Sequence, residues 1–484
     1  MEIMDKDLCS IQEVRNLVKA AKKAQKKLAT FSQVKIDRIC EAIARVSYEH
    51  REELAKLANE ETGFGLWEDK ILKNAFASKT VYDNIKDMKT VGIINEDIDE
   101  KIMEVAVPVG VIAGLIPSTN PTSTVIYKAL ISVKAGNAIV FSPHPNALKC
   151  ILRTVQIIEA AAVEAGAPKG TIQVITTPTR EATDELMKHK DTNLILATGG
   201  EAMVRAAYSS GTPAIGVGPG NGPAYITPSA NIAQAVRRIM DSKTFDNGTI
   251  CASEQSVIVE EGNKEAVIRE FTKQGAYFLN PEESNQLSKF ILRDNGTMNP
   301  QIVGKSVQHI ANLAKLTIPS GARVLIAEEV NVGKKYPFSR EKLAPILAFY
   351  TVKGWEEACE LAIQILMNEG AGHTMMIHTE NKDILREFAL KKPVSRLLVN
   401  TAGALGGIGA TTNLAPALTL GCGSVGGSST SDNIGPQNLF NIRRIAYGVR
   451  EVSDLREAEK CPATGLNTQM IEEIVQEILS RLQK

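Results

Sequence analysis

The chain has 484 residues, 44% of them hydrophobic and 23% charged, with Lys+Arg and Asp+Glu equal at 55 each. That length calls for two or three domains at roughly 150 residues apiece, and the composition is ordinary for a globular protein. The even charge excludes a general polyanion binder, so neither nucleic acid nor an anionic membrane is expected as a partner, and no apolar run reaches the ~18 residues of a membrane span.

The opening "MEIMDKDLCSIQEV" lacks the basic-then-apolar layout of a secretory signal. Residues 11–30 and 35–60 carry helical periodicity rich in Lys and Glu. "IMEVAVPVGVIAGLIP" (102–117) reads as extended segments broken at Pro108. A helix from Thr122 leads to the strand "NAIVFS", a helix from Asn146 to Ala165 to "TIQVIT", a helix near Glu181 to "NLILAT", and a helix from Gly200 to "PAIGVG". Short apolar runs alternating with helices predict βαβ units and a parallel sheet. After a change near 242–255 the pattern restarts with "SVIVEE", "RVLIAEE", "PILAFYTV", "HTMMIHT" and "SRLLVNT". Two successive α/β domains are expected. Their ligand site is expected in a cleft between them, at the carboxyl ends of the strands.

After 402 the chain turns rich in Gly, Ser and Thr. It reads either as a flexible linker or as an ordered loop lining a pocket, and the interleaved Leu and Val favour the loop. "AEKCPATGLNT" reads as a linker, and 468–484 as a separate helix. In that helix Ile471, Ile474, Val475, Ile478, Leu479 and Leu482 fall on one stripe.

Of the seven cysteines none forms a C-x-x-C pair, and the six histidines form no cluster, so no metal site is expected. Reduced thiols suit a cytosolic compartment. Cys251, in "DNGTICASEQ", follows an Asn-Gly turn and sits in a loop, the setting a reactive thiol needs. Cys422 in "LGCGS" is the rival nucleophile. Cys40, Cys150 and Cys359 lie within helical patterns and read as small buried hydrophobes. Asn120, where an apolar strand gives way to a helix, is either an oxyanion donor or a plain helix cap. "GVGPGNGP" (216–223) does not open a helix and so fails as a dinucleotide fingerprint. His373 opens a strand and reads as structural.

Several long motifs in order carry a resemblance: "VPVGVIAGLIPSTNPTST", "NAIVFSPHP", "GVGPGNGP", "DNGTICASEQ", "EKLAPIL", "GHT" and "RLLVNTAGALGGIG…LTLGCGSVGGSSTSDNIGP". From about residue 10 to 450 the chain resembles the aldehyde dehydrogenase superfamily, specifically its CoA-acylating branch of acetaldehyde and propionaldehyde dehydrogenases. The resemblance implies an α/β fold of two Rossmann-like domains with a small β oligomerisation arm. Residues 1–244 would form the cofactor domain, with oligomerisation strands about 98–110, and 245–428 the catalytic domain. Residues 429–450 would return to the cofactor domain or arm, 451–467 would be a linker, and 468–484 an amphipathic encapsulation peptide. By resemblance Cys251 is the nucleophile, Asn120 the side-chain half of the oxyanion hole, and Glu341 the residue holding the nicotinamide ribose. Thr119, Ser142, Thr198, Gly199, Gly200 and Gly218 would complete the site for NAD, with NADP open and coenzyme A as co-substrate.

Two departures refine this. Val217 stands where hydrolytic relatives carry a glutamate base. Water needs such a base, whereas a thiol acceptor needs much less help. Ser142 and Pro145 replace the Lys and Glu that grip the adenine ribose, which suggests a loose hold on the adenosine. The expected reaction converts a short aldehyde, acetaldehyde or propionaldehyde, with NAD and CoA to acyl-CoA through a Cys251 thioester. Sulfoacetaldehyde or succinate semialdehyde remain as other substrates, and a non-catalytic compartment scaffold as a reading of another class. A homodimer or homotetramer is expected. So is a place in the bacterial cytoplasm, in the lumen of a microcompartment whose shell or core proteins bind 468–484.

Overall fold

The computed structural model describes residues 5–460 and 468–482. It divides into two units, Met1–Gly92 with Val107–Asn441, and Ile93–Ala106 with Ile442–Lys484.

The smaller unit is built on a three-stranded sheet in the order β1 (Gly92–Asp97), β2 (Ile102–Pro108) and β15 (Phe440–Ala446). Arg444 Nε lies 3.0 Å from Glu104 Oε1 across it. These strands fall where the arm was expected, but the first begins earlier, because residues 98–101 make the turn, with Lys101 at φ 54°. Part of the linker expected over 451–467 is helical. Val452–Lys460 form a helix, and 461–467 lie outside the described residues. A second helix runs from Thr468 to Leu482.

The larger unit holds two parallel sheets. The first has the order β5 (Ile172–Val174), β4 (Ala138–Pro143), β3 (Val111–Ile116), β6 (Thr192–Thr198), β7 (Ala214–Val217). β3 and β4 are buried along their whole length, as continuous apolar runs in a covered parallel sheet must be. From β3 the chain steps to β4 on one side and later to β6 on the other. The strand order therefore reverses there, and a crevice opens outside the carboxyl ends of β3 and β6. The expected helix over 35–60 breaks at His50 (φ −90°, ψ 8°) into Gln33–Glu49 and Arg51–Thr62.

The second sheet has the order β10 (Ala276–Phe278), β11 (Val324–Glu328), β12 (Ile346–Val352), β9 (Glu254–Glu260), β8 (Gly222–Ile226), β13 (Gly372–His378), β14 (Val394–Val399). The chain crosses from one sheet to the other between β7 and β8, so the boundary expected at 244/245 moves upstream. The reason is packing. β8 is paired on both sides, Ala224 with Val257 and with Met376. The following helix Ile232–Thr244 buries Ala235, Val236, Ile239 and Met240 in the core of the same sheet.

The glycine-rich stretch after 402 is ordered. It begins with the helix Gly403–Gly407, whose first amides donate to buried acceptors, Gly403 N–H to Glu254 Oε1 (2.7 Å) and Ala404 N–H to Ser242 Oγ (2.8 Å).

Candidate active site

A cavity of about 560 Å³ lies where the two sheets approach. The first sheet presents carboxyl ends to it, as expected: Pro117–Asn120 after β3, Thr198–Gly200 at the end of β6, and Val217 and Gly218 at the end of β7. The second sheet does the opposite. Cys251 precedes β9, Glu341 precedes β12, and His373 stands at the start of β13, so this sheet offers amino ends. Ile408, Leu418 and Leu420 from the glycine-rich stretch close an apolar wall.

Cys251 is partly exposed on the cavity surface. Its Sγ lies 3.3 Å from His373 Nε2, and His373 Nδ1 lies 2.9 Å from Thr374 Oγ1. Arg396 fixes this pair from behind, donating to Thr374 Oγ1 (3.3 Å) and to the His373 carbonyl (3.0 Å). Burial, reinforced by the Arg396 charge, pushes the His373 ring down to about 3, so it is neutral. In the tautomer whose Nδ1–H donates to Thr374 Oγ1, the Nε2 lone pair faces the thiol. Burial pushes Cys251 up to about 12, with Glu341 adding to the rise and Arg396 opposing it. The resting pair is thus thiol and neutral imidazole. Cys422 is 2% exposed, its thiol donates to the Leu420 carbonyl at 3.5 Å, and it is not on the cavity wall.

Asn120 occupies the N-cap position of the helix Pro121–Lys134 but makes no capping bond with its side chain. Its Oδ1 instead accepts from Lys73 Nζ at 2.6 Å, and its Nδ2 is 3.3 Å from the Thr249 carbonyl and from Thr119 Oγ1. The side chain therefore does not serve as the helix cap.

The loop before the nucleophile has two non-glycine residues in the left-handed region, Asp246 (φ 49°, ψ 38°) and Asn247 (φ 51°, ψ 36°). A buried carboxylate holds it there. Asp246 Oδ1 accepts from Leu66 N–H (2.7 Å), and Oδ2 accepts from Lys70 (2.9 Å) and Lys73 (2.5 Å). Burial alone would raise this carboxyl, but the two ammonium groups outweigh it and hold it below its ordinary value. Gly220 packs against the nucleophile's backbone, and a Cβ there would lie 1.9 Å from the Cys251 carbonyl oxygen. Its N–H donates to Glu341 Oε1 at 2.8 Å. Burial pushes Glu341 up to about 8 against that hydrogen bond.

Of the residues expected to hold a dinucleotide, Thr119, Thr198, Gly199, Gly200, Gly218 and Glu341 all line the cavity. Ser142 does not. It is 5% exposed, its hydroxyl pairs with Thr183 Oγ1 at 2.8 Å, and His144 takes the wall instead. The remaining residues fit the group. Gly200 starts the helix Glu201–Tyr208, and a Cβ on Gly200 or Gly218 would meet nothing within 4 Å. The amide end of that helix is open to a phosphate, and the Glu341 carboxyl suits ribose hydroxyls. Among the described residues no His, Cys, Asp and Glu cluster could hold a metal ion.

Residues 2–406 match the aldehyde dehydrogenase family. The chain belongs to that family. Among curated aldehyde dehydrogenases it is similar to the bifunctional aldehyde-alcohol dehydrogenase of Escherichia coli (strain K12), 46% identical over 442 residues, 90% of this chain and 50% of the relative. It thus spans about half the length of that bifunctional relative. It is also similar to the succinate-semialdehyde dehydrogenase (acetylating) of Clostridium kluyveri, 40% identical over 438 residues, 90% of this chain and 96% of the relative. Three solved structures share the fold. A probable aldehyde dehydrogenase from Listeria monocytogenes EGD-e has a TM-score of 0.93 at 73% identity, covering 93% of this chain and all of that one (100%). An acetylating aldehyde dehydrogenase from Geobacillus thermoglucosidasius has 0.92 at 57%, covering 93% and 99%. A propionaldehyde dehydrogenase from the Clostridium phytofermentans fucose utilisation bacterial microcompartment has 0.82 at 28%, covering 91% and 98%.

Sequence reasoning missed two residues of this aldehyde dehydrogenase site, His373 and Lys73. The "GHT" motif was the only pointer to His373, whose contact with Cys251 exists because β13 and β9 flank β8. Nothing in the sequence pointed to Lys73.

Proposed function

We propose that the chain is a CoA-acylating aldehyde dehydrogenase that converts a short, neutral aldehyde to its acyl-CoA through a thioester on Cys251. The observation that carries this reading is the pairing of Cys251 with a neutral, weakly basic His373, and with no carboxylate at Val217. So weak a base is poorly matched to taking a proton from water, whereas a thiol acceptor ionises by itself near 8.5. The acetylating relatives support the same acceptor.

In this reading the Cys251 thiol loses its proton to solvent and its sulfur adds to the aldehyde carbonyl, with the neutral His373 Nε2, 3.3 Å away, orienting it. The Asn120 amide and the Cys251 backbone N–H receive the oxyanion, each such donor being worth roughly 3–4 kcal/mol. A bound NAD supplies the hydride acceptor; Glu341 would hold its ribose and the Gly199–Gly200 turn its phosphates. The CoA thiol then takes the acyl group from Cys251.

The preference for a short neutral aldehyde follows from the wall beside Cys251. Ile250, Ile408, Leu418 and Leu420 are apolar. The lining cations are committed elsewhere, Lys73 to Asp246 and Asn120, and Arg340 to Glu369 (3.5 Å) and the Gly296 carbonyl (2.7 Å). The deciding assay follows NADH with acetaldehyde, propionaldehyde, sulfoacetaldehyde and succinate semialdehyde, each with and without CoA. Free acid formed without CoA as fast as acyl-CoA forms with it would overturn the acceptor. Preference for an anionic aldehyde would overturn the substrate class.

We also propose that Thr468–Leu482 is an encapsulation helix. Its apolar stripe is exposed, from 45% at Ile471 to 78% at Leu482, and so short a helix wants a partner. The microcompartment propionaldehyde dehydrogenase that shares the fold supports this setting. A fluorescent protein carrying residues 468–484 should concentrate in assembled compartments, and Ile474→Glu with Ile478→Glu should disperse it. A fusion that stays diffuse rejects the role. The three-stranded arm is proposed to build a homodimer or homotetramer, read out by the mass in solution.

A further inference from the structure

Lys73 lies on the helix Trp67–Ala75, is 3% exposed, and reaches the cavity wall. Its ammonium bonds Asp246 Oδ2 at 2.5 Å, Asn120 Oδ1 at 2.6 Å and Thr249 Oγ1 at 2.9 Å. That uses all three of its N–H donors. Lys70, one turn earlier on the same helix, bonds the same Asp246 oxygen at 2.9 Å and the Thr119 carbonyl at 3.2 Å. One lysine is enough to neutralise one carboxylate. The reach of the second to Asn120 needs another explanation.

A carboxamide has nearly the same shape at both ends, and rotation about its last torsion exchanges oxygen for nitrogen. The two orientations are opposite in effect at an oxyanion, since the N–H end attracts it and the oxygen end repels it. An ammonium is a donor only, so the amide end 2.6 Å from Lys73 is the oxygen. The bond is charge-assisted and draws density toward Oδ1, which makes the remaining amide N–H a stronger donor. The same cation also holds Asp246 and Thr249, the residues leading into Cys251.

We propose that Lys73 is a positioning residue for acyl transfer: it fixes the Asn120 carboxamide with its oxygen turned away from the reacting carbonyl, and ties that donor to the loop that carries Cys251. This rests on the reading of Asn120 and Cys251 given above, and the experiment separates the two. The full chain is compared as wild type, Lys73→Met, Lys73→Gln, Asn120→Ala and both double variants. The readouts are kcat and KM for CoA-dependent aldehyde oxidation, with thermal midpoints and NAD binding as checks of the fold. Asn120→Ala is expected to lose about 100- to 1000-fold in kcat. Lys73→Met is expected to lose at least about 10-fold, with KM nearly unchanged, and Lys73→Gln, which keeps an N–H donor without the charge, to fall between it and wild type. In the Asn120→Ala background either Lys73 change should cost no more than about 3-fold, because its effect acts through that amide. Losses that multiply would show that Lys73 acts independently of Asn120 and would overturn the proposal, as would a folded Lys73→Met enzyme with wild-type kcat. If Lys73→Met does not fold, the Lys73→Gln pair carries the same comparison: a loss absent beside Asn120→Ala supports it, and no loss or a multiplying loss rejects it. A fully active Asn120→Ala enzyme would instead remove the oxyanion reading and the proposal with it.

Discussion

Cys251 Sγ and His373 Nε2 meet at 3.3 Å across the mouth of β8, and the residue that lets them meet is Gly220. A Cβ at Gly220 would lie 1.9 Å from the Cys251 carbonyl oxygen and 3.3 Å from His373 Cε1. The pair touches because the chain leading into the strand between them has no side chain at position 220.

His373 should act without titrating. Its ring is held at about 3, below its ordinary value, so the neutral ring is present throughout the working range. The rate of the first NADH turnover should show no imidazole inflection between about pH 5 and pH 7. His373→Ala should slow that turnover by roughly 10- to 100-fold, because the thiol loses the ring that orients it. Stopped-flow measurement at saturating aldehyde checks both. An inflection near pH 6.5 that disappears in the Ala variant would contradict the buried, neutral ring.

The Cys251 thiol should be sluggish toward alkylation in the free enzyme. Held near 12 mainly by burial, it stays protonated at neutral pH, and its thiolate fraction rises about tenfold per pH unit below that value. Glu341 ionises near 8, and above that pH its charge holds the thiol up. Glu341→Gln should therefore speed iodoacetamide labelling above about pH 8 and change it little below. Mapping the label to the Cys251 peptide measures the effect apart from the other cysteines.

Only one of the two candidate thiols should carry the acyl group. Cys251→Ala should abolish acyl-CoA formation. Cys422→Ala should leave most of it, since Cys422 is buried off the cavity wall. Mass spectrometry after incubation with aldehyde and NAD, without CoA, should find the adduct on Cys251. An adduct on Cys422 would reverse the assignment.

Asp246→Ala should destabilise the enzyme by about 3–5 kcal/mol. It strands two lysines that are each 3% exposed and removes the brace on the left-handed turn. Asp246→Asn keeps the tolerance for that turn and a hydrogen-bond acceptor, so its loss should be smaller. Denaturant unfolding of the three proteins gives the order. Equal losses would show that charge contributes nothing.

The strands were legible because a parallel sheet covered on both faces writes itself as unbroken apolar runs, such as "VIAGLI" of β3. The site was legible only where a motif brought it. The thiol of Cys251 and the amide of Asn120 came with their motifs, while Ser142 came with one and was found paired to Thr183 instead. His373 and Lys73 were not legible, since each acts through a neighbour that is distant in sequence. His373 reaches Cys251 over 122 positions and Lys73 reaches Asp246 over 173. The β7–β8 crossing was misplaced because "AYIT" alone does not say which sheet will pair it.

The empty space around Gly200 and Gly218 makes these two positions handles for redesign. Neither has a positive φ, and nothing stands within 4 Å of an added Cβ at either. A side chain there would compete with a bound dinucleotide before it crowded any neighbouring residue. A graded series of side chains at 218 would work as a ruler for the bulk that the cleft admits, with the thiol and its imidazole left in place.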